Sequence, residues 1–333
     1  MATVQALLRS ANRLSGESAS RDVEILLCYV LNKPRTWLYT WPEVDVAEGE
    51  LAQFEELVSR REAGEPVAYL TGTRDFWNLR LNVNEHTLIP RPETEVLVEW
   101  ALEMPLAPMA SVVDLGTGSG AIALALASER PSWDVCAVDS SFGALVVARR
   151  NAAAANLKQV QFFQSDWFSA LPQRRFDLVV SNPPYIDAGD EHLQRGDLRF
   201  EPTSALVAAQ GGLAALRTLA EEAPQYLSPG GTLLLEHGYT QGAAVRDILR
   251  AAGFTQIETR RDIGGNERAS AGVYHADCRA IDALQPATVV ARFRYRGAAE
   301  TPRRARACGR TGWVGVSGGA VPCRRRRRAP GVG

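Results

Sequence analysis

An apolar run ends abruptly at Asn182-Pro183-Pro184-Tyr185, inside the stretch VVSNPPYID that spans residues 179–187. Proline lacks a backbone N–H, so Pro183 and Pro184 stop strand pairing and leave nearby carbonyls turned outward. Asn182 adds a side-chain carbonyl. Two acceptors on one short rigid turn suit a target with two donors on a single nitrogen, meaning a primary amide or an exocyclic amine. Tyr185 can lie against the flat face of such a group. The chemistry this supports is methyl transfer from a sulfonium to nitrogen. An amide nitrogen is a poor nucleophile because its lone pair is delocalised, and holding it in line with the methyl group contributes at most about 7–11 kcal/mol. Leaving one of its N–H groups unpaired in a buried site would cost about 1–3 kcal/mol. No strong general base is evident beside the turn, and none is required until the cationic product sheds its proton.

Three other apolar runs end in residues that could hold the donor. The first ends in DLGTGSG (114–120), a D-x-G-x-G-x-G pattern opening a helix, with glycine at 116, 118 and 120. Those glycines permit positive φ and close approach of a ligand to the main chain, with Thr117 and Ser119 between them. A dinucleotide fingerprint would place its third glycine one residue later, which disfavours NAD. The second run ends at Asp139, a carboxylate suited to a ribose diol or, alternatively, to the N-terminal dipole of the following helix. The third ends in SDWF, where Asp166 could accept from an adenine amino group and Trp167 could cover a base, although tryptophan alone is more often core. Together these ends suggest adenosine without a phosphate, and S-adenosyl-L-methionine fits that description.

The elements that must position these residues are legible as a pattern. From residue 111 short apolar runs (SVVDLG, DVCAVD, VQFFQSD, FDLVVSN, GTLLLEHG) alternate with helical stretches such as GAIALALASER. That alternation predicts an α/β doubly wound parallel sheet, whose ligands sit at the carboxyl ends of the strands. Residues 1 to about 85 read as helical, through DVEILLCYVL and EGELAQFEELVSRREAG, and then as a loop and hairpin over EPVAYLTGTRDFWNLRLNVNE.

Composition bounds the rest. The chain has 333 residues, 46% hydrophobic and 23% charged, enough for two globular domains. Its five cysteines and four histidines are scattered, so neither a disulfide framework nor a metal site is expected. No secretory or membrane-spanning run is visible, and a cytoplasmic protein is expected. The net charge of −1 conceals an asymmetry: residues 278–333 hold 13 arginines against Asp282 and Glu300, while residues 1–277 carry 24 basic and 36 acidic groups. An acidic body argues against a long phosphate-tracking groove.

Residues 1–277 resemble the HemK/PrmC family, the N5-glutamine methyltransferases that modify peptide chain release factors. The resemblance rests on GEPVAYLTGTRDFW (64–77), LIPRPETE (88–95), DLGTGSGAIALALA (114–127), SDWFSAL (165–171), SNPPYID (181–187), GDLRFEP (196–202), LLLEHG (233–238) and RDIGGNER (261–268). It implies a Rossmann-like class I S-adenosylmethionine-dependent methyltransferase sheet, seven-stranded with its last strand antiparallel, at 88–277. It also implies a substrate-docking helical domain at 1–73, a hairpin linker at 74–87, and the glutamine of the Gly-Gly-Gln motif in class 1 release factors as acceptor. Matched residue by residue, the family's cofactor loop falls on Gly116, Thr117, Gly118, Ser119 and Gly120, its ribose acid on Asp139, its adenine-side residue on Trp167, and its amide clamp on Asn182, Pro183, Pro184 and Tyr185. Arg91 is read either as a cofactor-carboxylate contact or as a partner of Glu93, and Glu201, Glu236 and Arg268 receive no role. The tail 278–333 departs from the family and its composition predicts disorder without catalytic importance, or else an arm that binds RNA non-specifically. The alternatives are a nucleic-acid amino-methyltransferase, disfavoured by 13 acidic against 9 basic residues in 1–85, a glutamine methyltransferase of a ribosomal protein, and a non-catalytic binding module.

Overall fold

The computed structural model describes residues 2–275. The expectation of disorder over 278–333 lies outside these residues.

The N-terminal part is helical because its apolar side chains recur at helical spacing. Ala19–Leu31 buries Val23, Leu26 and Leu27 on one face, and Glu48–Glu62 answers with Phe54, Leu57 and Val58. The helix Ala19–Leu31 ends at Asn32, which adopts the left-handed conformation that asparagine tolerates and sends its N–H back to the chain at Cys28 and Tyr29. One expectation is corrected here: residues read as loop before the hairpin form a short helix, Val67–Thr71, that docks Leu70 into the same cluster. Five residues are too few to display a helical period, so packing rather than pattern decides them.

A hairpin follows, β1 (Thr73–Phe76) and β2 (Leu79–Asn82). It is pinned by its turn, where the Trp77 indole N–H donates to Glu129 at 2.8 Å, and by its end, where Asn82 N–H donates to Asn151 Oδ1 at 2.7 Å.

The sheet comprises β3 (Ser111–Leu115), β4 (Asp134–Asp139), β5 (Gln161–Gln164) and β6 (Phe176–Ser181). After the short pair β7 (Ile186–Asp187) and β8 (Val207–Ala208), it is completed by β9 (Leu227–Glu236), β10 (Phe254–Arg261) and β11 (Glu267–Tyr274). Its order is β10-β11-β9-β6-β3-β4-β5, with β11 antiparallel between β9 and β10 and the pairs among β9, β6, β3, β4 and β5 parallel. Alternate residues feed two cores. Val112, Val135, Ala137, Leu178 and Val180 pack under the helices Glu95–Glu103 and Ala121–Glu129. Val113, Cys136, Val138, Val179 and Leu233 face those at Ala214–Glu222 and Gly242–Ala251. Coverage on both faces is what a parallel sheet requires. Among the described residues no helix is long and apolar enough to cross a membrane.

Candidate functional site

The carboxyl ends of β3, β4, β5 and β6 meet in one crevice. Gly116, Gly118, Asp139, Asp166, Trp167, Asn182 and Pro184 line it together with His86, Leu88, Pro202 and Ser204. Thr117, Ser119, Gly120, Pro183 and Tyr185 stand behind that surface and shape it.

The loop after β3 folds its amides inward. Gly116 N–H and Thr117 N–H both donate to the Val138 carbonyl at 2.8 Å, Gly118 N–H donates to Asp139 Oδ2 at 2.8 Å, and Gly120 N–H donates to the Thr117 carbonyl at 2.8 Å. A phosphate cradle needs those amides free and no carboxylate among them. This loop therefore fits an uncharged nucleoside and opposes a pyrophosphate. Beneath it, Asp114 Oδ2 accepts from the Thr117 hydroxyl at 2.6 Å and from Ala123 N–H at 3.1 Å, which ties the loop to its helix. Burial pushes Asp114 up to about 7 against those two hydrogen bonds, and among the described residues its Oδ1 has no partner. The Ser119 carbonyl accepts from Asn151 Nδ2 at 2.8 Å, so the same asparagine braces both the loop and the hairpin.

Asp139 ends β4. Its Oδ1 accepts from Ser141 N–H at 2.8 Å, where Ser141 caps the helix Phe142–Ala154, and its Oδ2 takes Gly118. The helix-terminus contact and the crevice position thus coexist, because each carboxylate oxygen keeps a lone pair for a further donor. Burial raises its pKa and the two backbone hydrogen bonds oppose that. Beyond β5, Asp166 is exposed. Trp167 takes a positive φ of 48° that aims its indole across the loop: a Cβ on Gly116 would sit 3.5 Å from the ring. The ring also packs on the second core, so Trp167 is wall and core at once.

The turn after β6 is fixed from several sides. Ser181 Oγ donates to the Leu115 carbonyl at 2.6 Å, locking the strand tip to its neighbour. Asn182 Nδ2 donates to Thr94 Oγ1 at 3.2 Å, which leaves Oδ1 as the acceptor of a side chain that lines the crevice. The Tyr185 hydroxyl donates to Glu236 Oε1 at 3.1 Å, and the Tyr185 carbonyl accepts from Gln241 Nε2 at 3.0 Å. Gly212 crowds that carbonyl so closely that a Cβ would lie 2.1 Å from it. Downstream, Ile186–Asp187 pairs with Val207–Ala208, so both exits from the turn are anchored.

Glu236 ends β9, 1% exposed, and among the described residues its Oε2 has no hydrogen-bond partner. Burial pushes it up to about 7, offset by hydrogen bonding from Thr94 and Tyr185 and by the charge of Arg268. Arg268 itself is held by Asp262 at 3.0 Å. Arg91 pairs with Glu201, not with Glu93; this carboxylate is buried and also accepts from Ile89 N–H at 2.9 Å, tying residues 89–91 to the segment at 201. Burial nonetheless raises the Glu201 pKa, with Arg91 opposing. Sequence reasoning missed Thr94, Asn151 and Gln241. Thr94 lies within LIPRPETE, but nothing in that stretch signals that residue 182 would meet it.

Two family models match the chain, the PrmC N-terminal domain at residues 4–72 and the Methyltransferase small domain at residues 92–214. The release factor glutamine methyltransferase of Shewanella oneidensis is 52% identical over 258 residues, covering 78% of this chain and 90% of that one. That of Pseudomonas aeruginosa is 52% identical over 272 residues, 82% and 99% of the two chains. That of Escherichia coli K12 is 50% identical over 262 residues, 78% and 94%.

Proposed function

Since this chain belongs to the release factor glutamine methyltransferase family, we propose that it methylates the side-chain amide nitrogen of the glutamine in the Gly-Gly-Gln motif of class 1 release factors, in the cytoplasm, at the crevice formed by Gly116–Gly120, Asp139, Trp167 and Asn182–Tyr185. S-adenosyl-L-methionine, when bound, supplies an electrophilic methyl carbon on a sulfonium that leaves as a thioether. Gly116 and Gly118 let the nucleoside approach the main chain, Asp139 accepts from the ribose diol, Asp166 accepts from the adenine amino group, and Trp167 walls the base. Asn182 Oδ1 and a main-chain carbonyl of the Asn182–Tyr185 turn accept the two N–H groups of the glutamine amide, and Tyr185 backs its plane. With both N–H groups held, the nitrogen lone pair points along one line; the N–C bond forms as the S–C bond breaks, and one N–H proton then passes to solvent.

The observation that carries this reading is the commitment of Asn182 Nδ2 to Thr94, which turns the side chain into an acceptor at the crevice. A target with two donors is selected, because an ester or carboxylate there would leave Oδ1 facing another acceptor. The helical part, residues 1–73, docks the protein substrate; its bond to the catalytic part, Arg61 Nη1 to Asp197 Oδ1 at 3.1 Å, supports a fixed relation between dock and site. The test is transfer of labelled methyl to a class 1 release factor and to its Gln→Ala variant. Label is expected only on the first, and equal labelling of the variant rejects the assigned acceptor.

A further inference from the structure

The clamp is read above as an acceptor, yet an asparagine amide is ambivalent: flipped, it would present NH2 to a substrate NH2 and repel it. Something must decide which end faces the crevice. The nearest neighbour of the amide, the Thr94 hydroxyl, cannot decide by itself, since a hydroxyl donates one hydrogen and accepts on two lone pairs. Its choice is set by the next group along. That group is Glu236, a carboxylate at the tip of β9 whose Oε1 accepts from the Tyr185 phenol at 3.1 Å, whose Oε2 is buried without a partner among the described residues, and whose pKa the Thr94 hydroxyl lies close enough to lower.

Resting on the clamp reading, we infer that Glu236 is a positioning residue that sets the polarity of the clamp. Ionised, it can only accept. The Thr94 hydroxyl then turns its hydrogen toward Glu236, supplying the donor that Oε2 otherwise lacks. Thr94 is thereby left with lone pairs only, so it must accept from Asn182 Nδ2, as the 3.2 Å contact has it. Asn182 Oδ1 is the one atom left for the substrate. The same carboxylate holds the Tyr185 hydroxyl at 3.1 Å, so a single buried charge orients both ends of the Asn-Pro-Pro-Tyr turn. Glu236 is not among the residues that line the crevice.

Protonation reverses the logic, because a carboxylic acid can donate to Thr94 and release the amide to flip. The groups facing Glu236 are Arg268, which draws its pKa down, Glu93, which pushes it up, the Tyr185 phenol and the Thr94 hydroxyl. Arg268 is committed to Asp262 and to the His237 carbonyl, so it does not pair directly with Glu236.

Glu236→Gln keeps the volume and adds an NH2 donor, which is expected to lower kcat about 100-fold while cofactor affinity and KM for the release factor move less than about three-fold, a loss of the size seen when one aligned hydrogen bond is misdirected. The wild-type kcat is expected to fall as pH drops below about 7, and Glu236→Gln to lose that limb. Should Glu236→Gln not fold, a second pair reads the same relay: Thr94→Val is expected to match the Gln variant, and Thr94→Ser, which restores the hydroxyl, to recover at least ten-fold over Thr94→Val. The double variant Glu236→Gln/Thr94→Val is expected to be no slower than either single one. Wild-type kcat in Glu236→Gln, multiplicative losses in the double variant, or no gain from serine each overturns the inference. Loss in Asn182→Ala with none in Glu236→Gln sinks Glu236 alone; full activity in Asn182→Ala sinks the clamp beneath it.

Discussion

At the scale of single residues, the site is a set of polar groups whose spare valences have been assigned by the protein itself. Asp139 is the plainest case. Each of its oxygens already holds one backbone N–H, from Ser141 and from Gly118, which orients the carboxylate before any ligand arrives. Asp139→Ala is expected to weaken cofactor affinity at least ten-fold by removing the diol acceptor and loosening Gly118, with isothermal titration as the readout. Asp139→Asn keeps an acceptor and is expected to fall between the two. Unchanged affinity in the alanine variant would remove Asp139 from the cofactor site. The sequence made this acid visible because it ends an apolar strand. It could not reveal Thr94, which lies 88 residues from its partner Asn182, or Glu236, which lies 51 residues from its partner Tyr185, since hydrogen-bond partners that far apart are set by topology and not by local pattern. The same blindness explains Arg91, whose partner Glu201 is 110 residues away while Glu93 is the tempting neighbour.

At the scale of elements, four parallel strands of the sheet deliver their carboxyl ends to one edge, and the turns there are stiffened from outside. The Asn-Pro-Pro-Tyr turn leaves β6, passes the Gln241 contact, and is captured at once by the pairing of Ile186–Asp187 with β8. Gly212 makes that capture possible: its φ of +81° and the 2.1 Å approach of a Cβ to the Tyr185 carbonyl both forbid a side chain. Gly212→Ala is therefore expected to displace the turn and lower kcat at least ten-fold while cofactor binding, proposed above for the far side of the crevice, stays within about two-fold. A matching loss of cofactor affinity would show that the two halves of the crevice are not separable. The strand and helix alternation was legible because each strand is short, apolar and followed by an amphipathic or buried helix. The helix Val67–Thr71 was not, because five residues carry less than a full pattern.

For the whole molecule, the fold keeps buried acids in forms that cost it stability. Glu236 sits at about 7 against an ordinary 4.5, and Asp114 at about 7 against 3.8, both raised chiefly by burial. Between those limits the folded chain holds protons that the unfolded chain has released. By linkage these two groups make stability fall as pH rises from about 4 to 7, with the full penalty in place above 7. Glu236→Gln removes one of the two, so its unfolding free energy from urea titrations is expected to lose up to about 1.4 kcal/mol less per pH unit across that window than the wild type. A steeper decline in the variant contradicts this. If Glu236 works ionised, the molecule runs at a pH where this side chain opposes folding, which is where local rules are expected to yield to function.

On the function proposed, Asn182 presents an acceptor to the substrate amide and plays no comparable part in holding the donor. Single-turnover methyl transfer to a class 1 release factor, measured beside cofactor affinity in Asn182→Ala, tests it most directly. The transfer rate is expected to drop about 100-fold or more with cofactor affinity within about three-fold of wild type. Transfer at the wild-type rate, or a loss explained wholly by weaker cofactor binding, would contradict it.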